Sequence, residues 1–328
     1  MLKKAAILGT GYYVPEKVLT NFDLEKIMDT NDEWITTRSG IKERHLSEKD
    51  QPTSDLAFRA GEKAIVSAGL KNADIDFVII CTVTGDYTWP ATGNVVVERL
   101  GINGVPSMDL SAACSGFIYG LTVARAFVET GLYKNILLIG AEEFTKIVDW
   151  TDRSTCVLFG DGAGAVVIGQ SRGDGGEILS TYLASDGSKV KYLLQPGGGV
   201  VHPINQETID KKLQFAQMNG KEVFKNAVTK MPEALEKAIK LAGINIDDLD
   251  YFIFHQANKR IIDAIAERFK VPEEKLIVNI QRYANTSAAT IPIALAEAVE
   301  QGKIKKGHLI GFSALGAGFT WGGAVVRM

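Results

Sequence analysis

Apolar positions recur along this chain with two periods. Ala64 and Ala68, and later Leu235, Ala238, Ile239 and Ala242, fall three and four apart, as on one face of a helix. A glycine follows each set, Gly69 and Gly243, where the residue just past a helix end sits. An acidic turn comes next, then a continuous apolar run, 77–80 in one case and 251–254 in the other, which suits strands covered on both faces. The two stretches align without gaps: GEKAIVSAGLKNADIDFVIIC (61–81) over LEKAIKLAGINIDDLDYFIFH (235–255). A second pair, VETGLYKNILLIG (128–140) over VEQGKIKKGHLIG (299–311), repeats at nearly the same offset. Two ungapped matches at nearly one offset predict a duplicated unit.

Halves that each alternate strands with helices predict an α/β protein with mostly parallel or mixed sheets, related by a pseudo-twofold axis. The expected arrangement is a duplicated αβαβα layered core, sheet stacked on sheet with helices between. The halves are expected at 1–170, carrying Cys114, and 171–328, carrying His255 and Asn285. The least regular region, 171–217, contains Pro196, Pro203 and three glycines at 197–199, and is expected to form hairpins and loops rather than a linker.

Composition narrows the function. With 46% hydrophobic and 23% charged residues over 328 positions, the chain is expected to be ordered and globular. A formal net charge of −3 and no lysine/arginine block disfavour a nucleic-acid partner. Three cysteines without CxxC spacing exclude a disulfide framework and fit a reducing compartment. The scattered His45, His202, His255 and His308 offer no metal-ligand spacing, so no metal is expected. The N-terminal residues lack the apolar stretch of a signal peptide or membrane span, so a cytoplasmic protein with no membrane contact is expected.

Candidate chemistry follows from the repeat. Extended backwards, the second match places Cys114 over Asn285, each at the start of a helix that follows a strand or loop. Helix N-termini present unsatisfied N–H groups that lower a thiol's pKa and offer donors to an oxyanion, making Cys114 a candidate thiolate nucleophile. Cys81, inside an apolar strand, and Cys156 are expected to be structural. His255 closes a buried strand, where α/β architectures place catalytic groups. Pseudo-symmetry then brings a nucleophile and two polar assistants to a common centre. Neither LGTGYYV (8–14) nor GDGAGA (160–165) makes a dinucleotide fingerprint, and no cofactor is expected. The turn at 315–322, containing Gly316, Ala317 and Gly318, is a candidate source of oxyanion donors.

Taken together, DEWITTRSGIKER (32–44), DLSAACSGF (109–117), DRSTCVLFGDGAGA (152–165), HQAN (255–258), NTSAA (285–289) and FTWG (319–322) resemble β-ketoacyl-[acyl-carrier-protein] synthase III over essentially the whole chain. This is a condensing-enzyme family of the thiolase superfamily. The resemblance implies a thiolase-like fold and an initiating acyltransferase of fatty-acid synthesis. A short acyl-CoA, such as acetyl-CoA, acylates Cys114, and malonyl-acyl-carrier-protein then loses CO2 and attacks the acyl group. His255 and Asn285 assist the decarboxylation, and the N–H groups of Cys114 and Ala317 hold the oxyanion. Because relatives often carry Gly at 317, an alanine there raises the question of how that turn takes an unusual φ.

By the same resemblance Trp34 and Arg153 sandwich the CoA adenine, Arg38 meets the phosphates, and Asn258 belongs to the CoA site. Gln256, Ala257, Asn258, Lys259, Arg260 and Lys225 face the acyl carrier protein. Trp89 reaches across a homodimer and limits acyl length. The alternatives are a related condensing or acyl-transfer enzyme of secondary metabolism with another starter, a papain-type hydrolase, and a catalytically silent carrier-protein binder. The papain-type hydrolase leaves the duplication unexplained. Retention of Cys114, His255 and Asn285 speaks against the silent binder.

Overall fold

The structure is a computed structural model that describes residues 3–173 and 175–328. Nine strands make the core: β1 (Ala5–Tyr13), β2 (Phe77–Cys81), β3 (Ser107–Leu110), β4 (Asn135–Glu143), β5 (Asp161–Gln170), β6 (Glu177–Ser185), β7 (Tyr251–Phe254), β8 (Leu309–Gly316) and β9 (Thr320–Arg327). Six helices concern the site: α1 (Asp32–Ser39), α2 (Thr53–Ser67), α3 (Gly116–Thr130), α4 (Gly220–Ala242), α5 (Lys259–Phe269) and α6 (Thr290–Glu300).

The strands run in the order β7-β8-β9-β6-β1-β5-β4-β2-β3. Each side of the centre repeats one scheme. β1 pairs antiparallel with β5, β5 antiparallel with β4, and β4 parallel with β2. Likewise β6 pairs antiparallel with β9, β9 antiparallel with β8, and β8 parallel with β7. The fifth position is β3 on one side and only a single parallel bridge, Phe252–Leu276, on the other. The expected duplication is therefore present in four strands of each half, with the fifth reduced to that bridge in the second. The two sheets are not fully separate layers, because β1 and β6 share the bridge Ala6–Glu177.

Helix patterning sorts the layers. On α2 and α4 one face is buried, Leu56, Ala60 and Ala64 on the first and Met231, Leu235 and Ala238 on the second, as outer helices require. On α6 every residue from Thr290 to Ala298 is buried, and Phe117, Ile118, Leu121 and Ala124 of α3 are too. These two helices lie between the sheets, sharing one core with Ile79 and Leu138 of the first sheet and Ile253 and Phe312 of the second. The expected glycines Gly69 and Gly243 end α2 and α4 in left-handed conformation, φ 69° and 70°.

One expectation fails. The region 171–217 is not only hairpins and loops, since β6 is a full strand beside the centre. Ser180, Thr181 and Ser185 interrupt its apolar run. Ser180 is buried nonetheless, its hydroxyl donating to Ala238 O at 2.6 Å, and so escapes a hydrophobicity reading. The remainder is irregular as expected, with the two-residue strands Leu193–Leu194 and Gln217–Met218 pairing as a small ribbon.

Candidate active site

Cys114 occupies a short 3-10 turn, Ala113–Ser115, that leads from β3 into α3. Asn285 lies just before the equivalent turn, Ser287–Ala289, that leads into α6. The residues preceding them are both forced to positive φ, 46° at Ala113 and 55° at Ala284. Such values cost a side chain about 1–3 kcal/mol each and persist where surrounding structure dictates them. His255 follows β7, its N–H bonded to Ser313 O of β8 at 2.8 Å. All three side chains line one cavity of about 530 Å³, which Ala113, Ala317, Trp34, Arg38, Ala257, Asn258 and Arg260 also line.

The polar groups are tightly held. Asn285 Oδ1 accepts the Ser287 N–H at 2.8 Å, which leaves the amide nitrogen as the free donor. His255 is 2% exposed, and burial pushes its imidazole down to about 3, so the ring is neutral. Its Nδ1 lies 2.7 Å from the Thr290 hydroxyl. The thiol departs from expectation: instead of being lowered, it is pushed up to about 12, first by burial and also by the Glu142 carboxylate. Ser287 supplies a hydrogen bond to it, opposing the rise. Desolvation thus outweighs the nearby helix terminus in the free protein.

The turn containing Gly316, Ala317 and Gly318 packs directly on Cys114. A Cβ placed on Gly316 would stand 2.8 Å from Cys114 N, so only glycine permits this approach. Ala317 keeps an ordinary φ, and Gly318 takes the positive value, 133°. The Thr320 hydroxyl, within reach of Ala112 O at 3.1 Å and Ala317 O at 3.0 Å, ties the two backbone segments together.

At the cavity mouth, Trp34 on α1 has the Arg38 guanidinium 4.7 Å from its ring centroid and that of Arg153 at 5.3 Å. A base stacked between Trp34 and Arg153 needs about 7 Å, two contact distances. Arg153 instead bonds the carbonyl of Asp29 and its carboxylate, the latter at 2.9 Å. Asn258 caps α5, accepting from Arg260 N at 2.9 Å and donating to Arg38 O at 3.0 Å, so its amide braces α5 against α1. Gln256 does not reach the surface. It is 1% exposed, its amide nitrogen donating to Phe254 O at 2.6 Å and its oxygen accepting Asn279 N at 3.1 Å. This removes it from the residues expected to face a carrier protein. Lys225 and Arg260 are exposed, and Lys259 pairs with Asp263. Trp89 lies outside the cavity and is 83% exposed. Cys81 and Cys156 are fully buried, as structural thiols would be.

Thr290, Ser287, Glu142 and Thr320 were not anticipated as site residues. A signal existed for Glu142, the first of two carboxylates ending the apolar strand β4. Hydroxyls in turns, such as Ser287 and Thr290, carry no comparable mark.

Residues 108–187 match the family model of 3-oxoacyl-[acyl-carrier-protein (ACP)] synthase III, and residues 239–328 match that of its C-terminal part. A β-ketoacyl-[acyl-carrier-protein] synthase III from Caldanaerobacter subterraneus subsp. tengcongensis is 51% identical over 323 residues, 98% of this chain and 97% of that protein. Another of the same name from Campylobacter fetus is 49% identical over 99% of both chains. Among solved structures, 3-oxoacyl-[acyl-carrier-protein] synthase III from Aquifex aeolicus VF5 superposes with a TM-score of 0.91 at 46% identity, covering 99% of this chain and 100% of that one.

Proposed function

The chain belongs to the β-ketoacyl-[acyl-carrier-protein] synthase III family, the condensing enzymes that initiate fatty-acid synthesis, and from that premise we propose how its residues carry the reaction. The observation that carries the reading is the convergence of Cys114, His255 and Asn285 on one cavity. The Cys114 sulfur takes the acyl group from a short acyl-CoA such as acetyl-CoA and CoA leaves. Malonyl-acyl-carrier-protein enters next. Its thioester oxygen accepts from Asn285 Nδ2 and from His255 Nε2–H, and these donors gain strength as CO2 departs and an enolate forms. A neutral His255 suits this donor role. The enolate carbon then attacks the acyl carbonyl, whose oxygen turns to the N–H groups of Cys114 and Ala317. The product is a 3-oxoacyl-carrier-protein. A condensing enzyme of secondary metabolism is less favoured, since curated relatives near 50% identity carry the synthase III name.

The CoA adenine would stack on Trp34 after Arg153 leaves Asp29 and closes over it, with Arg38 at the phosphates. Asn258 acts there through α1 and α5. Exposed Lys225 and Arg260, with Lys259 and Ala257 beside them, form the docking side for the acidic carrier protein. The division into halves at 1–170 and 171–328 follows the step of the chain from β5 to β6. A homodimer would form along β3, an edge strand of half-buried residues, near exposed Trp89, which would close a partner's acyl pocket and favour short primers. Among the described residues no helix is long and apolar enough to cross a membrane, and a cytoplasmic site of action fits substrates delivered by CoA and carrier protein.

Intact-protein mass spectrometry tests the reading. Acetyl-CoA should add one acetyl group to the wild type and none to Cys114→Ala, and malonyl-acyl-carrier-protein should discharge it with release of CO2. Absence of any acyl adduct on Cys114 with short acyl-CoAs would sink the assignment.

A further inference from the structure

Glu142 is a buried carboxylate to which the mechanism above gives no task. Oε2 accepts from Thr82 Oγ1, Val83 N and Thr84 N, each at 3.1 Å, and from Thr84 Oγ1 at 2.6 Å. With that oxygen so occupied, the carboxylate is held in one orientation and the place of Oε1 is set. Oε1 accepts from Ser287 Oγ at 2.9 Å. The Ser287 N–H in turn donates to Asn285 Oδ1 at 2.8 Å. An unbroken series of hydrogen bonds thus leads from residues 82–84 through Glu142 and Ser287 to the amide of Asn285.

The backbone shows why such a tether is needed. Ser287 takes a φ of 50°, a conformation that a residue with a side chain keeps only where its surroundings enforce it. Among the described residues the neighbouring hydroxyl, Thr286 Oγ1, is buried without a hydrogen-bond partner, so it gives the turn no second hold. The main chain of Asn285 is already pinned, its N–H to Leu158 O at 2.9 Å and its carbonyl to Gly160 N at 3.1 Å. What remains free is rotation of the side-chain amide, and a half-turn would present oxygen instead of N–H to the cavity. The Ser287 N–H forbids that exchange, because it can only donate.

We propose that Ser287 and Glu142 are positioning residues for decarboxylation: Glu142 holds the Ser287 hydroxyl, and the turn so held keeps Asn285 Nδ2 aimed at the malonyl thioester oxygen. The proposal rests on the reading above, in which Asn285 donates to that oxygen. A carboxylate suits the task because hydrogen bonds to an ionised acceptor are shorter and stronger than neutral ones. Glu142 and Ser287 are both 0% exposed, so water does not compete for the link.

The test compares wild type with Ser287→Ala, Glu142→Gln, Asn285→Ala and the double variant Ser287→Ala/Asn285→Ala. CO2 release from malonyl-acyl-carrier-protein gives kcat and KM, and mass spectrometry gives the rate of acetyl-adduct formation on Cys114. Ser287→Ala and Glu142→Gln should each lower kcat for CO2 release on the order of tenfold with KM unchanged. Adduct formation does not use the Asn285 amide and should fall far less. In the Asn285→Ala background Ser287→Ala should cost nothing further, since tether and amide act as one unit. If Glu142→Gln does not fold, Ser287→Ala decides alone, because it leaves Glu142 and the donors from residues 82–84 in place. An unchanged kcat in Ser287→Ala overturns the proposal, as does an equal fall in adduct formation or full additivity with Asn285→Ala. A wild-type rate of CO2 release in Asn285→Ala overturns the donor reading of Asn285 and the proposal with it.

Discussion

His255 Nδ1 stands 2.7 Å from the Thr290 hydroxyl, with both residues buried. The hydroxyl has a single proton, and its other acceptor, Ser287 O, is farther away at 3.1 Å. Donation to Nδ1 leaves the proton of the neutral ring on Nε2, toward the cavity. Thr290→Val removes that control while keeping the shape. Malonyl decarboxylation should fall about tenfold in kcat, the worth of a buried hydrogen bond of about 1.4 kcal/mol. Thr290→Ser should restore it, and acetyl-adduct formation should be unchanged in both. An unaltered decarboxylation rate in Thr290→Val removes Thr290 from the mechanism.

Acid should attack the fold through His255. With its imidazole held near 3 in the folded state and at an ordinary 6.5 when unfolded, the unfolded chain binds more protons between those values. Stability from this group is complete above about pH 6.5 and is lost as pH falls through the window, at up to about 1.4 kcal/mol per pH unit. His255→Asn should flatten this slope. Urea midpoints at pH 7 and pH 5 check it: the wild type should lose more than the variant, and equal losses would refute the linkage.

Substrate entry at Trp34 should follow from the Arg153–Asp29 contact. Asp29→Ala frees the guanidinium to close over a base, so KM for acetyl-CoA should fall with kcat unchanged. Trp34→Ala removes the stacking face, and KM should rise on the order of tenfold. Steady-state kinetics with acetyl-CoA as the varied substrate separate these effects, and an unchanged KM in both variants would place the adenine elsewhere.

Arg44, at the end of the 32–44 motif, is 0% exposed and donates to Leu19 O and Asn21 Oδ1, both at 2.9 Å, and to Val157 O at 3.0 Å. Burial pushes its guanidinium down to about 10. Arg44→Met strands two buried acceptors and one part-buried one and should destabilise the protein by about 3 kcal/mol or more. Denaturant unfolding checks this, and a loss under 1 kcal/mol would contradict it.

Arg44 also shows why the sequence was only partly legible. Its motif pointed to substrate binding, yet Trp34 and Arg38 line the cavity while Arg44 pins the segment from beneath. The duplicated fold was readable because α2, α4, β2 and β7 each bury a regular face, and periodicity registers that directly. Strand β6 was hidden because its buried Ser180 finds a backbone carbonyl in α4, a partner 58 positions away. The repeat pointed to Cys114 and Asn285, and the end of a buried strand to His255, and all three line one cavity. Gln256 was misplaced because a polar residue beside an active histidine looks exposed until its amide is traced to Phe254 and Asn279. Charge states were the least legible of all, since the high thiol of Cys114 depends on burial that no local pattern records.

Ala113 and Ala284, with φ of 46° and 55°, occupy backbone conformations that tolerate a small residue and resist a branched one. In a saturation-mutagenesis map they should therefore stand out as paired cold spots, open to glycine and closed to valine or isoleucine. The constraint at these positions is a dihedral angle rather than any side-chain chemistry. The likeness of the two halves thus extends to the backbone angles just before Cys114 and Asn285, two residues whose side chains are unlike.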